Sequence, residues 1–274
     1  MPELPEVETT RQGLLPYVVG QKVRRMVLNR RDLRWPISAA LPRVIDGKEI
    51  IDLTRRGKYL VFHLADGQML AHLGMSGSIR IANIKELPRK HDHWQLQFGT
   101  ERELRFNDPR RFGALFWVRR EDDWQSHDLI RSLGPEPLLD DFTADYLYQR
   151  SRGRSQPIKA FIMDSKVVVG VGNIYASEAL FHAGIHPKLR AGKLSKPRSQ
   201  NLVEQIKRVL SNAIERGGTT LRDYVNGAGQ PGYFQQELWV YGRGGQPCKI
   251  CPKEIKEIRL GQRSTCFCPQ CQRR

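Results

Sequence analysis

The first 247 residues of this 274-residue chain contain no cysteine, which excludes a disulfide framework spread through the fold. Nor does any run approach the ~20 apolar residues a transmembrane helix needs, so no membrane role is expected. The opening segment is acidic and proline-rich where a secretory leader would be basic and then apolar, and a cytoplasmic location is expected. Acidic residues are few relative to basic ones, 29 Asp plus Glu against 45 Lys plus Arg, for a formal net charge of +16. A surplus of that size points first to a polyanion such as nucleic acid, and hence to the nucleoid. Neither an internal repeat nor an extended low-complexity tract is present. Hydrophobic content of 39% is ordinary globular usage, and the length leaves room for two domains with their own cores.

From Val44 to Val118 the pattern is strand-like. Lys58–Leu64 and Gln68–Leu73 read as a hairpin closed by Asp66-Gly67, and Trp94–Phe98, Glu103–Phe106 and Ala114–Trp117 add three short strands. With a helix starting at Pro5, residues up to about 131 read as a β-sandwich led by a helix. Gly134-Pro135-Glu136-Pro137 and the basic run Gln149–Ser155 mark a hinge. The period then turns helical: Asn173–Phe181 is one helix, and Pro197–Arg216 another, ended by Gly217-Gly218 and carrying Leu202, Ile206, Val209, Leu210, Ala213 and Ile214 on one face. The fold class expected is α+β.

All five cysteines fall in the last 27 residues. Cys248-Lys249-Ile250-Cys251 and Cys268-Pro269-Gln270-Cys271, separated by sixteen residues, are two knuckles at zinc-ribbon spacing. Four thiolates can converge tetrahedrally on one structural Zn²⁺ while the intervening residues form a β-hairpin. Cys266 is left over and reads as a small apolar filler. Eight Lys and Arg against two acids within 241–274 give this hairpin the charge of a DNA-contacting device.

The chain opens Met1-Pro2-Glu3-Leu4-Pro5-Glu6-Val7-Glu8. Removal of Met1 would leave a secondary amine beside a carboxylic acid. An α-amine has a pKa of about 8, so part of it is uncharged near neutrality and able to attack an electrophilic carbon, giving an iminium that serves as an electron sink. The plainer reading is that Pro5 starts a helix whose first turns carry acids. Further on, Val169-Gly170-Val171-Gly172 precedes a helix N-terminus able to hold a DNA phosphate, and lacks the Gly-Lys-Ser/Thr ending of a nucleotide loop. Leu73–Gly77 and Asn107–Gly113 are turn-like and present Met75, Arg110 and Phe112, either as ordinary turns with core packing or as wedges that fill the gap left by an extruded nucleotide. His91 and Arg154 are further candidate DNA contacts; His91-Asp92-His93 reads as phosphate contact or structure in preference to a metal pair.

These segments together resemble bacterial formamidopyrimidine-DNA glycosylases: Pro2–Thr9, Gly57-Lys58-Tyr59-Leu60, His72–Gly77, Asp108–Gly113, Gly170–Glu178, and the zinc hairpin with Gln262-Arg263-Ser264-Thr265. The likeness runs end to end. It implies a bifunctional enzyme that excises oxidised purines (8-oxoguanine, formamidopyrimidines) from double-stranded DNA and cleaves the abasic site by β,δ-elimination. Pro2 is then the nucleophile at C1′, Glu3 the proton donor, Lys58 an aid to base departure and β-elimination, and Arg263 the support for δ-elimination. It also implies a helix-two-turns-helix element over about Ile158–Phe181 with Lys159 and Asn173 near the DNA backbone, a lesion-covering loop around Thr219–Tyr233, and a monomer. The division expected is 1–131 catalytic sandwich, 132–155 hinge, 156–235 helix-two-turns-helix domain and 236–274 zinc hairpin. Cys266 departs from the family, whose members usually carry an aromatic residue there. Two rivals share part of the pattern. An endonuclease VIII-type enzyme for oxidised pyrimidines shares Pro2, Glu3, a strand lysine and the zinc hairpin, and a non-catalytic zinc-ribbon binder explains the charge and cysteines but not Pro2-Glu3 and Lys58.

Overall fold

The computed structural model describes residues 2–218 and 238–274; the loop expected around Thr219–Tyr233, and the domain boundary expected at 235/236, lie outside them. The described residues fall into two compact units, 2–131 with 216–218, and 132–215 with 238–274.

The first unit begins with helix α1 (Leu4–Val18). It continues with β1 (Val23–Leu28), a short α2 (Leu41–Ile45), and strands β2 (Ile50–Arg56), β3 (Tyr59–Leu64), β4 (Gly67–His72), β5 (Ser78–Asn83), β6 (Asp92–Phe98), β7 (Arg102–Asn107) and β8 (Ala114–Arg119). These form two antiparallel sheets in the orders β1-β6-β7-β5 and β2-β3-β4-β8. Phe62, Met69 and Leu115 of one sheet share a core with Trp94, Leu96, Leu104 and Phe106 of the other, as alternating inward side chains of a sandwich must. Leu4, Val7, Leu14 and Val18 of α1 are wholly buried, and the helix packs on β2, β3 and β5.

Two details differ from the sequence reading. The β3–β4 loop is Ala65-Asp66, since Leu64 pairs with Gly67; Gly67 is the first strand residue, where a Cβ would stand 2.4 Å from the Val118 carbonyl. Lys58 lies in a two-residue turn with Gly57, because Arg56 pairs with Tyr59, and not within a strand.

The second unit holds α3 (Ala144–Ser151), α4 (Ile158–Ile162), α5 (Asn173–His182), α6 (Lys196–Glu215) and the hairpin β9 (Lys256–Leu260) with β10 (Arg263–Phe267). The expected hinge 132–155 is therefore not a plain linker. It contains α3, capped by the Thr143 hydroxyl, which accepts from the Tyr146 N–H, with Leu147 buried and α6 packed against it. Burial along α6 at Leu202, Val203, Ile206, Val209, Leu210 and Ala213 follows one helical face.

Candidate functional site

At the N-terminus, Pro2 and Glu3 are buried. Glu3 is the N-cap of α1: its carboxylate accepts from the Glu6 N–H, and Glu6 Oε2 accepts from the Glu3 N–H at 2.8 Å, a reciprocal capping box. The residue expected to act chemically is thus also the helix cap, which holds its carboxyl group directly beside the proline. Glu8, one turn on, accepts from Arg11 and from Arg55 of β2, which ties α1 to the strand that runs into Lys58. Across from that turn, Tyr59 pairs with His72, their rings 4.7 Å apart. Burial, then the charges of Lys58 and Arg34, push the His72 imidazole down to about 4, so it is neutral near pH 7. Its Nδ1 accepts from the Gly74 N–H.

The two candidate wedge loops are fastened to each other. Ser76 donates to Asp108 at 2.6 Å and accepts from the Arg110 N–H, and Asp108 accepts from the Gly113 N–H. Gly74, at φ +70°, lies so close to the other loop that a Cβ would stand 2.4 Å from the Phe112 carbonyl carbon; only glycine fits there. Outside this fastened base, Met75 is 37% and Phe112 40% exposed, with the Arg110 guanidinium 5.3 Å from the Phe112 ring centre. Large apolar side chains held outward on rigid turns are not core packing. His91, at φ +76°, supports the base through its carbonyl, which accepts from the Asp108 N–H; its ring lies 6.2 Å from that of His93, and His93 is engaged with the Asp108 carbonyl. Asp92 between them is held by Arg80.

In the second unit, α4, two turns and α5 form the expected element. The buried Lys159 ammonium donates to Asn173 Oδ1 at 2.7 Å, to Thr265 Oγ1 at 2.8 Å and to the Ser264 carbonyl at 3.3 Å; Asn173 donates to the same carbonyl at 3.1 Å. The helical pair and the zinc hairpin therefore form one polar cluster directly after Arg263. Arg263 is exposed and follows Gly261-Gln262, both at positive φ, the two-residue turn that suits a tight hairpin. Arg154 is exposed ahead of α4, and among the described residues no side-chain bond places it in this cluster.

The Sγ atoms of Cys248, Cys251, Cys268 and Cys271 all lie within 4.8 Å of one another. Separations of 3.5 to 4.0 Å match the ~3.8 Å edge of a tetrahedron with Zn–S bonds near 2.3 Å and are far beyond a disulfide bond of ~2.05 Å. Backbone N–H groups of Ile250 and Cys271 donate to Cys248 and Cys268 sulfurs, as knuckles do. These four residues fit one structural zinc. Cys266 is not in the cluster; it is buried with Phe181, Val240 and Ile255.

One buried acid escaped the sequence reading. Glu178 on α5 accepts from the consecutive N–H groups of Trp239, Val240 and Tyr241 at 2.8, 3.0 and 2.9 Å. Burial pushes its carboxyl above the usual range, against the pull of those three donors. The signal was a lone acid in a stretch of α5, Ile174–Phe181, that is buried throughout.

Comparison with known proteins agrees along the whole chain. Residues 1–115 match the family model of the formamidopyrimidine-DNA glycosylase N-terminal domain, 133–225 that of its H2TH domain, and 245–274 that of the zinc finger found in FPG and IleRS. Formamidopyrimidine-DNA glycosylases of Pseudomonas paraeruginosa and Marinobacter nauticus are 55% and 54% identical over 273 residues, covering 100% of both chains. Crystal structures of the Lactococcus lactis Fpg, in complex with DNA containing an abasic site and, as a variant, with Fapy-dG containing DNA, superpose with a TM-score of 0.92 at 34% identity. They cover 99% and 100% of this chain and 100% of theirs. A helix-led sandwich, a helix-two-turns-helix element and a four-cysteine hairpin, matched in order and over full length, show that this chain belongs to the formamidopyrimidine-DNA glycosylase family of DNA repair enzymes.

Proposed function

We propose that this enzyme excises oxidised purines from duplex DNA through a covalent intermediate on the Pro2 nitrogen and then cleaves the abasic strand by β- and δ-elimination. The observation that carries the reading is the capped Glu3 carboxyl fixed beside Pro2 at the head of α1, with Glu8 and Arg55 joining that helix to the strand before Lys58. The uncharged proline amine attacks C1′ of the damaged nucleotide as the C1′–base bond breaks and the base leaves with a proton. Glu3 protonates the ring oxygen of the opening sugar. The resulting iminium acidifies the adjacent C2′, and loss of a proton there expels the 3′ phosphate; loss of a second proton, from C4′ of the conjugated iminium so formed, expels the 5′ phosphate, with Lys58 serving the first elimination and Arg263 the second.

Met75, Arg110 and Phe112 fill the space of the extruded nucleotide, while Lys159, Asn173, Arg154 and His91 serve the DNA backbone. On this reading residues 1–131 are the catalytic unit, the helix-two-turns-helix element grips the backbone and the zinc hairpin presents Arg263. The zinc holds the hairpin in shape and takes no part in bond making.

Borohydride trapping on an 8-oxoguanine duplex tests the nucleophile: a covalent adduct is expected, and a residue retained ahead of Pro2 turns the amine into an amide and abolishes it. An adduct formed by protein shown by mass spectrometry to carry such an extension overturns the assignment. Glu3→Gln keeps the fold and lesion binding but slows excision by roughly 10²–10⁴; an excision rate near wild type removes Glu3 from the chemistry. Excision of oxidised pyrimidines in preference to purines would favour the endonuclease VIII-type specificity.

A further inference from the structure

A groove of about 700 Å³ opens on the first unit where β1, α2 and the end of β6 meet. Its charge comes from an irregularity in β1. Val23 pairs with Phe98 and Arg25 with Gln97, so Arg24 is an extra residue in the strand. A bulge breaks the alternation of faces and lets consecutive side chains serve one side; Arg24 and Arg25 are both exposed and both line the groove, with Arg43 of α2 opposite them. Asp46 is the one acid in the lining. Arg24 donates to the Gly99 carbonyl, and among the described residues Arg25 and Arg43 have no carboxylate within ion-pair distance. A single solvated arginine means nothing; three converging on one concavity whose apolar lining is Met26, Pro42 and Ile84 define a chemistry.

Position separates this groove from the wedge loops. The Met75 loop runs into Ser78 at the start of β5 and the Arg110 loop follows Asn107 at the end of β7, whereas the groove lies by Gly99 and Ile84, beyond the opposite ends of β6 and β5. Six strand residues at ~3.3 Å each put about 20 Å between the two. A duplex also makes poor use of such a groove, since specific DNA interfaces spread over roughly 1,000 Å² or more and phosphates gain nothing from an apolar floor. Carboxylates pair with guanidinium groups in bidentate fashion, and a volume of this size suits a short segment.

We propose that this groove docks an acidic peptide segment of a partner protein, its carboxylates held by Arg24, Arg25 and Arg43 and an apolar side chain laid against Met26, Pro42 and Ile84. The site is independent of the excision chemistry.

Fluorescence anisotropy on the full chain, with its DNA face saturated by a duplex carrying an abasic-site analogue, tests this with a fluorescein-labelled octapeptide of aspartates containing two leucines. Saturable binding is expected. It weakens at least about tenfold in Arg25→Glu/Arg43→Glu and about threefold when the leucines become serines, the first being roughly 1.4 kcal/mol, while nicking of lesion DNA stays within about twofold of wild type. The milder Arg25→Gln/Arg43→Gln pair gives the same direction of change should charge reversal unfold the chain. Failure of the wild type to bind the peptide, equal binding by the double variants, or displacement of the peptide by further duplex overturns the proposal, the last by making the groove a nucleic-acid surface.

Discussion

Arg55 Nε stands 3.0 Å from Glu8 Oε2, and this one ion pair joins the helix headed by Pro2-Glu3 to the strand that ends two residues before Lys58. Arg11 completes the arrangement, bonding Glu8 at 2.7 Å and the Leu53 carbonyl at 3.2 Å. The head of α1 and the turn that carries Lys58 are therefore tied together through Glu8, Arg11 and Arg55.

Glu8→Gln should lower stability by about 1.5–3 kcal/mol, the range for hydrogen bonds to charged groups, and should slow excision without altering zinc content. Burial raises the Glu8 carboxyl, but the bonds and charges of Arg11 and Arg55 outweigh it and hold it below 4.5. A depressed carboxylate contributes stability above its unfolded value and loses it as pH falls through the folded one. Urea melts should thus show the gap between wild type and variant at pH 7 closing below about pH 4; a gap that persists unchanged would mean the charge of Glu8 is immaterial.

His72 gives a second pH signature. Its imidazole sits at about 4 against an ordinary 6.5, so between those values the unfolded chain binds a proton that the folded chain refuses, and stability falls as the solution is acidified through that window. His182 shifts the same way through burial and then Arg208, so one substitution removes only part of the effect. His72→Gln should flatten the dependence of melting temperature on pH between about 6.5 and 4. Equal slopes in the two proteins would show that His72 is not held neutral.

Met75→Ala should leave stability within about 0.5 kcal/mol, as for other exposed sites. On the wedge reading it weakens binding to an 8-oxoguanine duplex about tenfold, and binding to an abasic duplex less, because less stacking is left to break. Equal losses on the two DNAs would count against a wedge.

The cysteines separate cleanly. Cys268→Ser should release zinc and, with it, the hairpin, so that DNA binding and nicking fall together. Cys266→Ser should retain zinc, at a stability cost of about 1–3 kcal/mol for burying a hydroxyl among Phe181, Val240 and Ile255. Metal analysis of both proteins decides, and zinc lost from the Cys266 variant alone would overturn the ligand set.

What the sequence revealed was whatever is encoded locally. The paired CxxC spacing, the one-sided apolar period of α6 and the β3–β4 hairpin depend on neighbours a few residues away, and each has its counterpart in the structure. Misplaced features were those decided at a distance. Gly67 looked like a turn residue but is a glycine because β8 approaches its backbone. Thr143, Asp145 and Leu147 carried a legible capped helix that the surrounding prolines and arginines disguised as a hinge. Glu178 could not be assigned from its own helix, since its three donors lie more than sixty residues on. Nor does the composition of β1 announce the slip that turns Arg24 and Arg25 to one side.

The bonds from Lys159 and Asn173 to Ser264 and Thr265 carry a thermodynamic consequence. They make the metal knuckles and the helical pair two ends of a single reporter, and linkage between two ligands is reciprocal in free energy. If zinc tightens the grip of Lys159 and Asn173 on a DNA strand by some factor, the bound strand raises zinc affinity by that same factor. An equilibrium competition for zinc against a chelator, run with and without duplex, should therefore show the protein keeping its metal more firmly when it is on DNA than when it is free.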